Sequence, residues 1–571
     1  MGGPGDRASK PFSWREPTHS PYADGQGMDP KNVDLESMLP PGSRSSASAQ
    51  SSHAREPGDL KGAGTSVVDG RHGRKGESDN PQQSFEESDA RIVPTCKKSA
   101  NSWVTPEELM EGRRVANGKL ASRNALRAQD RQGALTFMER VGQRAKQKKG
   151  EQFNNLLSHV KVPLLKEAYE RLNKKAAVGV DGVTWREYGE NLDARLRDLQ
   201  DRVHRGNYHP QPVRRVHIPK GDGRTRPLGI PSLEDKVVQQ AVRMVLEPIY
   251  EAEFLGFSYG FRPGRSQHQA LDALAVAIGR KVGWVLDADI RAFYDTISHE
   301  WMQKFLEHRI ADKRLLRLVM KWLHAGVMED GELRVVEEGA PQGAGISPLL
   351  SNIYLHYALD LWVQQWRKRN ARGEVYIVRY ADDAALAFQL EQDARAMRTA
   401  MAERLAKFGL ELHPEKTRVL RFGRFARKNS ARDGRTRPET FDFLGFTHIA
   451  GVSLDGGFQL QRRTSRKKRA AKLFVLRGEM RRRRHEPPHV QHRWLSSVLR
   501  GHYNYYGVPT NIRALRTFRR QVEHAWHRQL QRRSQRARWD VEATKRFEAR
   551  FPLPAPHITH PWPLQRFPAG P

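Results

Sequence analysis

Two adjacent aspartates, Asp382 and Asp383, interrupt an otherwise apolar stretch, EVYIVRYADDAALAFQL (374–390). EVYIVRY (374–380) and AALAFQL (384–390) read as the two strands of a buried hairpin, with the acids in the turn between them. Adjacent carboxylates repel, and burying them is costly unless a cation or good hydrogen bonds compensate. A surface turn would suit a lone Asp-Asp pair, because Asp tolerates turn geometry. A second acid-bearing strand argues for more than a turn. WVLDADIRAFYDTIS (284–298) begins as a strand with Asp287 and Asp289 on one face, then becomes helical; Asp295 lies beyond the strand and is expected to cap the next helix or orient a basic neighbour. If this strand lies beside the hairpin, Asp289 meets Asp382 and Asp383, and the three carboxylates form a metal seat.

Charge constrains the partner. The chain carries 98 Lys and Arg against 65 Asp and Glu, a net +33, in 571 residues. In residues 461–571 the balance is 27 to 6. Such an excess repels itself, so a polyanion is the expected partner. The basic segments are interleaved with Trp and Tyr and lack a juxtamembrane position, which favours nucleic acid over a membrane surface. There is no run of 18 apolar residues, and the start MGGPGDRASK lacks a signal-peptide core. A single cysteine, Cys96, excludes an internal disulfide and any cysteine-rich zinc ribbon or zinc-dependent nuclease. These features lead us to expect a reducing, intracellular setting with no membrane partner.

Residues 1–98 are rich in Gly, Ser, Pro, Asp and Lys and are expected to be disordered. Residues 99–152 read as a helical N-terminal segment, opening with Thr105 as N-cap and Pro106 in the first turn. Within 153–455, RRVHIPKGDGRTRPLGIPS (213–231) predicts two short strands around a GDG turn, followed by a helix from Leu233 to Tyr250. SPLLSNIYLHYALDLWVQQW (347–366) predicts one helix with Ser347 and Pro348 as cap and first turn. LEQDARAMRTAMAERLAKFG predicts a helix ending at Gly409, and TFDFLGFTHI a single strand. Basic helices fill 456–530, and a basic, Pro-rich tail fills 531–571. No internal repeat is visible.

Converging carboxylates suit two Mg²⁺ ions, with Mn²⁺ able to substitute, since both take oxygen ligands. Two such ions about 3.5–4 Å apart activate a 3′-hydroxyl and stabilise a leaving pyrophosphate. Lys220 and Arg226 flank the GDG turn, where a basic hairpin can close over a triphosphate. Gln342, in APQGAGISPLL, and Tyr294, five residues after Asp289, are candidates for the walls of a nucleotide site. HYNYYG places Tyr503, Tyr505 and Tyr506 among arginine-rich helices, where aromatics stack on unpaired bases while arginines hold phosphates. Arg481, Arg482, Arg483 and Arg484, then Arg532, Arg533 and Arg536, are the candidate phosphate contacts.

The blocks IPKGDGRTRPLGIP, FSYGFRPGRSQHQAL, DADIRAFYD, PQGAGISPLLSNIYLHY, RYADD, GLELHPEKT and FDFLGFTH resemble, in this order, those of group II intron reverse transcriptases. RWLSSVLRGHYNYYGVP (493–509) and RRSQR (532–536) resemble that family's maturase-specific region, and LPAPHITHPWP resembles the bacterial class C branch. The resemblance covers roughly Phe153 to Phe567. It implies an α+β right-hand polymerase, with fingers and palm in 153–455, a maturase-specific thumb in 456–530 and a DNA-binding tail in 531–571. It implies Asp289, Asp382 and Asp383 as catalytic metal ligands, with Ile290 among the metal-binding positions. Lys220 and Arg226 would touch the triphosphate, Gln342 the incoming dNTP, and Tyr294 would act as steric gate against ribonucleotides. The implied partners are intron RNA and an RNA template with its DNA primer or target; no nuclease domain is expected, and the oligomeric state stays open. Two departures stand out: Ala384 replaces a large residue such as Phe, and Gly345 replaces Val or Ile, both expected to loosen the site. A splicing maturase with a vestigial polymerase site, or a host-adopted reverse transcriptase in defence or repair, remain the alternatives.

Overall fold

The computed structural model describes residues 125–219, 225–329, 331–334, 337–534 and 540–566. The low-complexity start, the helix expected at Pro106, and the candidates Lys220 and Arg536 lie outside them. The described chain mixes helices with three separate sheets.

Helix starts follow the side chains that satisfy their free N–H groups. Thr184 and Ser266 each form a capping box, with Glu187 and with Gln269, at the helices Trp185–Gly189 and Gln267–Ile278. Ser232, Ser298 and Asp312 cap Leu233–Glu251, His299–Glu307 and Lys313–Leu323. The cap of His299–Glu307 is therefore Ser298; Asp295, expected at that cap, ends a 3₁₀ turn, Phe293–Asp295, and is exposed.

The first sheet has the order β2-β1-β4-β5. Strands β1 (Val213–Pro219) and β2 (Thr225–Ile230) form the expected antiparallel hairpin, and β4 (Val327–Glu329) runs parallel to β1 and pairs with β5 (Glu332–Arg334). The second sheet, of order β6-β7-β3-β8, holds β3 (Trp284–Asp289), β6 (Val375–Tyr380), β7 (Asp383–Phe388) and β8 (Arg418–Arg421). Its two faces feed two cores, as alternation along a strand requires. Leu286 and Ala288 of β3 enter a large cluster with the helices on one side, while Val285 enters a second cluster with Leu271 and Leu274 of helix Gln267–Ile278.

The third sheet corrects one expectation. TFDFLGFTHI is a hairpin, β9 (Thr440–Phe443) and β10 (Phe446–Val452), with Leu444 and Gly445 at positive φ in the two-residue turn. Its β10 pairs along its length with β11 (Phe458–Thr464), so the boundary expected at 455/456 falls inside a sheet.

The stretch 347–366 is also interrupted. An α-helix, Ser347–Leu355, passes through a π-helical turn, His356–Asp360, into a second α-helix, Leu361–Arg369. Ser347 is inside the first helix, where its hydroxyl donates to the Pro341 carbonyl at 2.9 Å.

Helices Arg466–Arg482, Pro488–Tyr506 and Ile512–Gln531 share a third core around Leu495, Leu499, Phe518, Val522 and Trp526. The segment beyond 531 packs onto that core: Phe547 stands 4.9 Å from Trp526, edge to face, and Leu553 is buried. The 530/531 boundary is not a structural break.

Candidate catalytic site

Strand register assembles the carboxylates. In the β3–β7 pairing Asp289 stands directly opposite Asp383, and in the β6–β7 pairing Asp383 faces Tyr380, leaving Ala381 and Asp382 as the turn. Sequence reasoning expected this meeting of Asp289 with Asp382 and Asp383. Side chains two apart share a face, so Asp287 and Asp289 line the same side of β3.

The turn is held from beneath. Ala381 adopts φ +56°, and a Cβ on Gly260 would lie 2.3 Å from the Ala381 nitrogen, so only glycine fits under the turn. Asn352 Nδ2 donates to the Gly260 carbonyl at 2.7 Å. Arg379, 1% exposed, donates from Nε and one Nη to the two Asp360 oxygens at 2.7 and 2.5 Å. Its other contacts are the Ala381 carbonyl at 2.9 Å, Asn352 Oδ1 at 3.1 Å and Ser258 Oγ at 2.7 Å. The π turn delivers Asp360 to this arginine, in keeping with the functional placement of such turns. Sequence reasoning missed the support; its one signal is a lone arginine inside an apolar strand, which demands a buried partner.

Burial and mutual repulsion raise these acids. Asp383 is pushed up to about 6, first by burial and then by Asp382 and Asp289, against the pull of Lys468 and Lys416. Asp382 is raised by burial and Asp289, against Arg226 and Arg379. Asp287 rises to about 7 through burial, offset in part by Arg418 at 3.9 Å. Lys416 Nζ donates to Asp289 Oδ2 at 2.6 Å. That lysine lies in GLELHPEKT, whose chain is tied to β3 by His413 N donating to the Asp289 carbonyl at 2.8 Å.

Among the described residues no three His, Cys, Asp or Glu side chains stand close enough together to cage a metal ion. The donor set nevertheless fits magnesium, which usually takes one or two carboxylates and completes its shell with water and phosphate oxygens. Asp382 and Asp383, whose proton affinity is raised beside Asp289, are groups that a divalent cation would compensate. Asp289, Asp382 and Asp383 would hold it, and Lys416 would have to release an Asp289 oxygen. Ile290, buried beside Asp289, bridges to Leu412.

Two of the nucleotide-site candidates, Arg226 and Tyr294, interact electrostatically with Asp382, and Gln342 shares a cavity with Tyr294. Arg226 is exposed on β2, and its charge acts on both Asp382 and Tyr294. Tyr294 is half-buried with its hydroxyl 3.4 Å from Ser351 Oγ. The carbonyl of Gln342 accepts from Gly229 N at 2.6 Å, and Gly343, at φ +113°, lets the loop lie on that strand. Tyr294 and Gln342 also line a cavity of about 290 Å³ with Arg215, Pro227, Gly229 and Gly339. None of the three carboxylates lines it, so this cavity is distinct from the place where they meet. Gly345 is pinned and not loose: its N–H donates to buried Gln239 Oε1 at 3.0 Å. Ala384 is buried in the core between Ala288 and Arg379.

The C-terminal candidates divide. Tyr503 is fully buried, its hydroxyl donating to the Pro554 carbonyl at 3.0 Å, which removes it as a stacking platform for bases. Tyr505 donates to the Leu444 carbonyl at 3.0 Å and packs on Phe446, and Tyr506 packs on Phe446 and His502. All three tyrosines serve packing. Arg483 pairs with Glu486 at 3.2 Å and lies over Trp494, Arg484 donates to Gln529 Oε1 at 3.0 Å, and Arg533 donates to the Glu486 carbonyl. Arg481, Arg482 and Arg532 remain exposed, with Arg482 paired to Glu479 at 3.1 Å.

A larger basic surface went unassigned in the sequence. A groove of about 670 Å³ is lined by Arg437, Arg463, Arg466, Lys467, Arg469 and Arg513. The first turn of helix Arg466–Arg482, which contains no acid, opens onto it. Helix N-termini and arginines both favour phosphate. Lys468 of the same turn acts electrostatically on Asp383, which ties the groove to the carboxylates. No helix among the described residues is long and apolar enough to cross a membrane.

A family model for reverse transcriptase (RNA-dependent DNA polymerase) matches residues 218–448, which include all three carboxylates. Protein YkfC of Escherichia coli K12 is 44% identical over 182 residues, 31% of this chain and 48% of that protein. Group II intron-encoded protein LtrA of Lactococcus lactis is 34% identical over 237 residues, 41% of this chain and 39% of that protein. Nuclear intron maturase 3, mitochondrial, of Arabidopsis thaliana is 30% identical over 142 residues, 24% of this chain and 19% of that protein. The chain thus spans less than half the length of each of these relatives. It carries a reverse transcriptase domain at residues 218–448 and is similar there to group II intron-encoded proteins and intron maturases.

Proposed function

We propose that this chain is an RNA-directed DNA polymerase encoded by a group II intron, which copies RNA into DNA and binds its intron RNA to assist splicing and mobility. The observation that carries the reading is the register that sets Asp289 opposite Asp383 beside the Ala381–Asp382 turn. In the reaction the primer's 3′-hydroxyl oxygen bonds to the α-phosphorus of a dNTP, the bond to the bridging oxygen breaks, pyrophosphate leaves and the hydroxyl proton passes to solvent. Two Mg²⁺ ions, when bound, would supply charge neutralisation and hydroxyl activation. Asp289, Asp382 and Asp383 hold that charge in place, on a turn that Arg379 and Gly260 keep rigid. Arg226 orients the triphosphate, Gln342 and Tyr294 frame base and sugar, and Tyr294 acts as the gate against a 2′-hydroxyl. The β1–β2 sheet would serve as fingers, the second sheet as palm and the C-terminal helices as thumb, with the basic groove taking the nucleic-acid backbone. The intron RNA, and not this protein, supplies the splicing chemistry.

Primer extension on an RNA template with Mg²⁺ and dNTPs tests the reading, wild type beside Asp382→Ala and Asp383→Ala. The wild type alone should extend, and both variants should keep RNA affinity within about twofold, because neither carboxylate is among the residues that line the basic groove. Salt-sensitive RNA binding with no extension by any of them would make the chain a splicing maturase without polymerase activity.

A further inference from the structure

The C-terminal segment LPAPHITHPWPLQR (553–566) runs from the helical core to the catalytic sheet's covering helix. Four prolines restrict its backbone, and it runs without regular structure as far as the short helix Pro563–Arg566. Leu553 is buried with the helices, and the Pro554 carbonyl accepts the Tyr503 hydroxyl. Further on, the backbone N–H groups of Thr559 and His560 both donate to the Gly507 carbonyl, at 2.8 and 3.0 Å. A Cβ on Gly507 would meet Thr559 Oγ1 at 2.5 Å, so glycine is what admits the segment. His560 Nε2 stands 2.7 Å from the Asn504 carbonyl, and its ring stacks at 3.6 Å on His268 of helix Gln267–Ile278.

One turn further along that helix lies Asp272, 1% exposed. Its Oδ1 accepts from Arg462 of β11 at 2.5 Å. Its Oδ2 is buried and accepts no hydrogen bond; the compensating charge is Arg566, 3.2 Å away. One buried carboxylate therefore joins three parts of the chain: the helix backing the catalytic sheet, the strand that leads into helix Arg466–Arg482, and the C-terminal segment. Buried charges need partners, so the carboxylate makes this joint specific to one arrangement.

We propose that Arg566 and Asp272 are positioning residues, whose clamp holds the C-terminal helices against the catalytic sheet and thereby sets how long the enzyme stays on its primer–template duplex. The proposal rests on the polymerase reading above. The basic groove lies next to the joint in the chain: Arg463, one residue after the Arg462 that Asp272 holds, lines it between Thr440 and Asp442 of the hairpin and Arg469 and Arg513 of the helices. Loosening the clamp would open the groove while leaving Asp289, Asp382 and Asp383 in register.

The test uses the full chain with Arg566→Ala and Arg566→Lys; Arg566 is partly solvated, whereas Asp272→Asn would strand the buried Arg462 and risk the fold. Three quantities are read: amide exchange in 558–566, the rate of single-nucleotide addition, and product length per binding event in the presence of a heparin trap. Arg566→Ala should speed exchange about tenfold or more. It should leave single-nucleotide addition within about twofold while shortening products about threefold or more, and Arg566→Lys should recover part of that length. Unchanged product length despite faster exchange, unchanged exchange, or an equal fall in both kinetic quantities would overturn the clamp. A wild type that extends no primer overturns the polymerase reading with it, and the exchange data then show separately whether the joint is real.

Discussion

Gly260 and Arg379 lie beneath the turn that carries Asp382, and neither touches a reacting atom. A methyl group at 260 meets backbone, which cannot rotate away, 2.3 Å from the Ala381 nitrogen. Gly260→Ala should therefore shift the turn and cut primer extension by about a hundredfold, the usual consequence of roughly 1 Å of misplacement. Gly345→Ala is the control: its nearest neighbour is Gln239 Oε1 at 3.9 Å, so unfolding in urea should move by no more than about 0.5 kcal/mol. Arg379→Met would leave Asp360, 1% exposed, without its cation, and chemical denaturation should register a loss of about 3–5 kcal/mol. The carboxylates themselves were legible in the sequence, because a period of two fixes which acids share a strand face. Their supports were not. Gly260 meets Ala381 only through a fold that brings distant segments together, and no local pattern in FSYGFRPG announces that contact.

At the scale of elements, several strands and helices carry histidines that burial keeps neutral. His448 of β10 is lowered to about 3, chiefly by burial and then by Arg462; His356 of the π turn is lowered to about 3, and His502 of helix Pro488–Tyr506 to about 4, each chiefly by burial. Each folded value lies below the unfolded one, so the stability these residues contribute is fully present above about pH 6.5 and is lost as pH falls toward the folded values. The histidine contribution should fall between about pH 6.5 and 4, opposed by Asp287 and Asp383, which hold protons more tightly in the fold, so the difference in thermal unfolding midpoint between variant and wild type is the quantity to read. His448→Phe should flatten that slope, by up to about 1.4 kcal/mol per pH unit for the proton no longer taken up. Element reading from sequence failed at two places for related reasons. In TFDFLGFTHI the turn residues Leu444 and Gly445 sit inside an apolar run, which hides the hairpin. In 347–366 helical periodicity persists through the π turn, and the departure answers to Asp360 reaching Arg379, a tertiary demand.

Over the whole molecule, the basic excess is arranged and not merely abundant. Arginines first singled out by their runs, Arg483, Arg484 and Arg533, are occupied in tying helices together. The groove of Arg437, Arg463, Arg466, Lys467, Arg469 and Arg513 joins the basic run RRTSRKKR (462–469) to two distant arginines, and only the fold brings those together. RNA affinity should fall steeply with salt, and charge-neutral variants at Arg463, Arg466 and Arg513 should each lower the slope of log K against log salt by about 0.7–0.9; a filter-binding series from 50 to 200 mM salt measures it. The hairpin β10–β11 has a consequence for anyone who would dissect the protein. A cut at 455/456 separates two strands that pair along seven residues, so neither product would be a finished piece. The exchangeable cassette, if parts are to be swapped with a relative, begins no later than Thr440 and must carry its C-terminal end with it. Shuffling across this seam should yield insoluble halves, whereas grafts that respect it should inherit both the grip and its clamp.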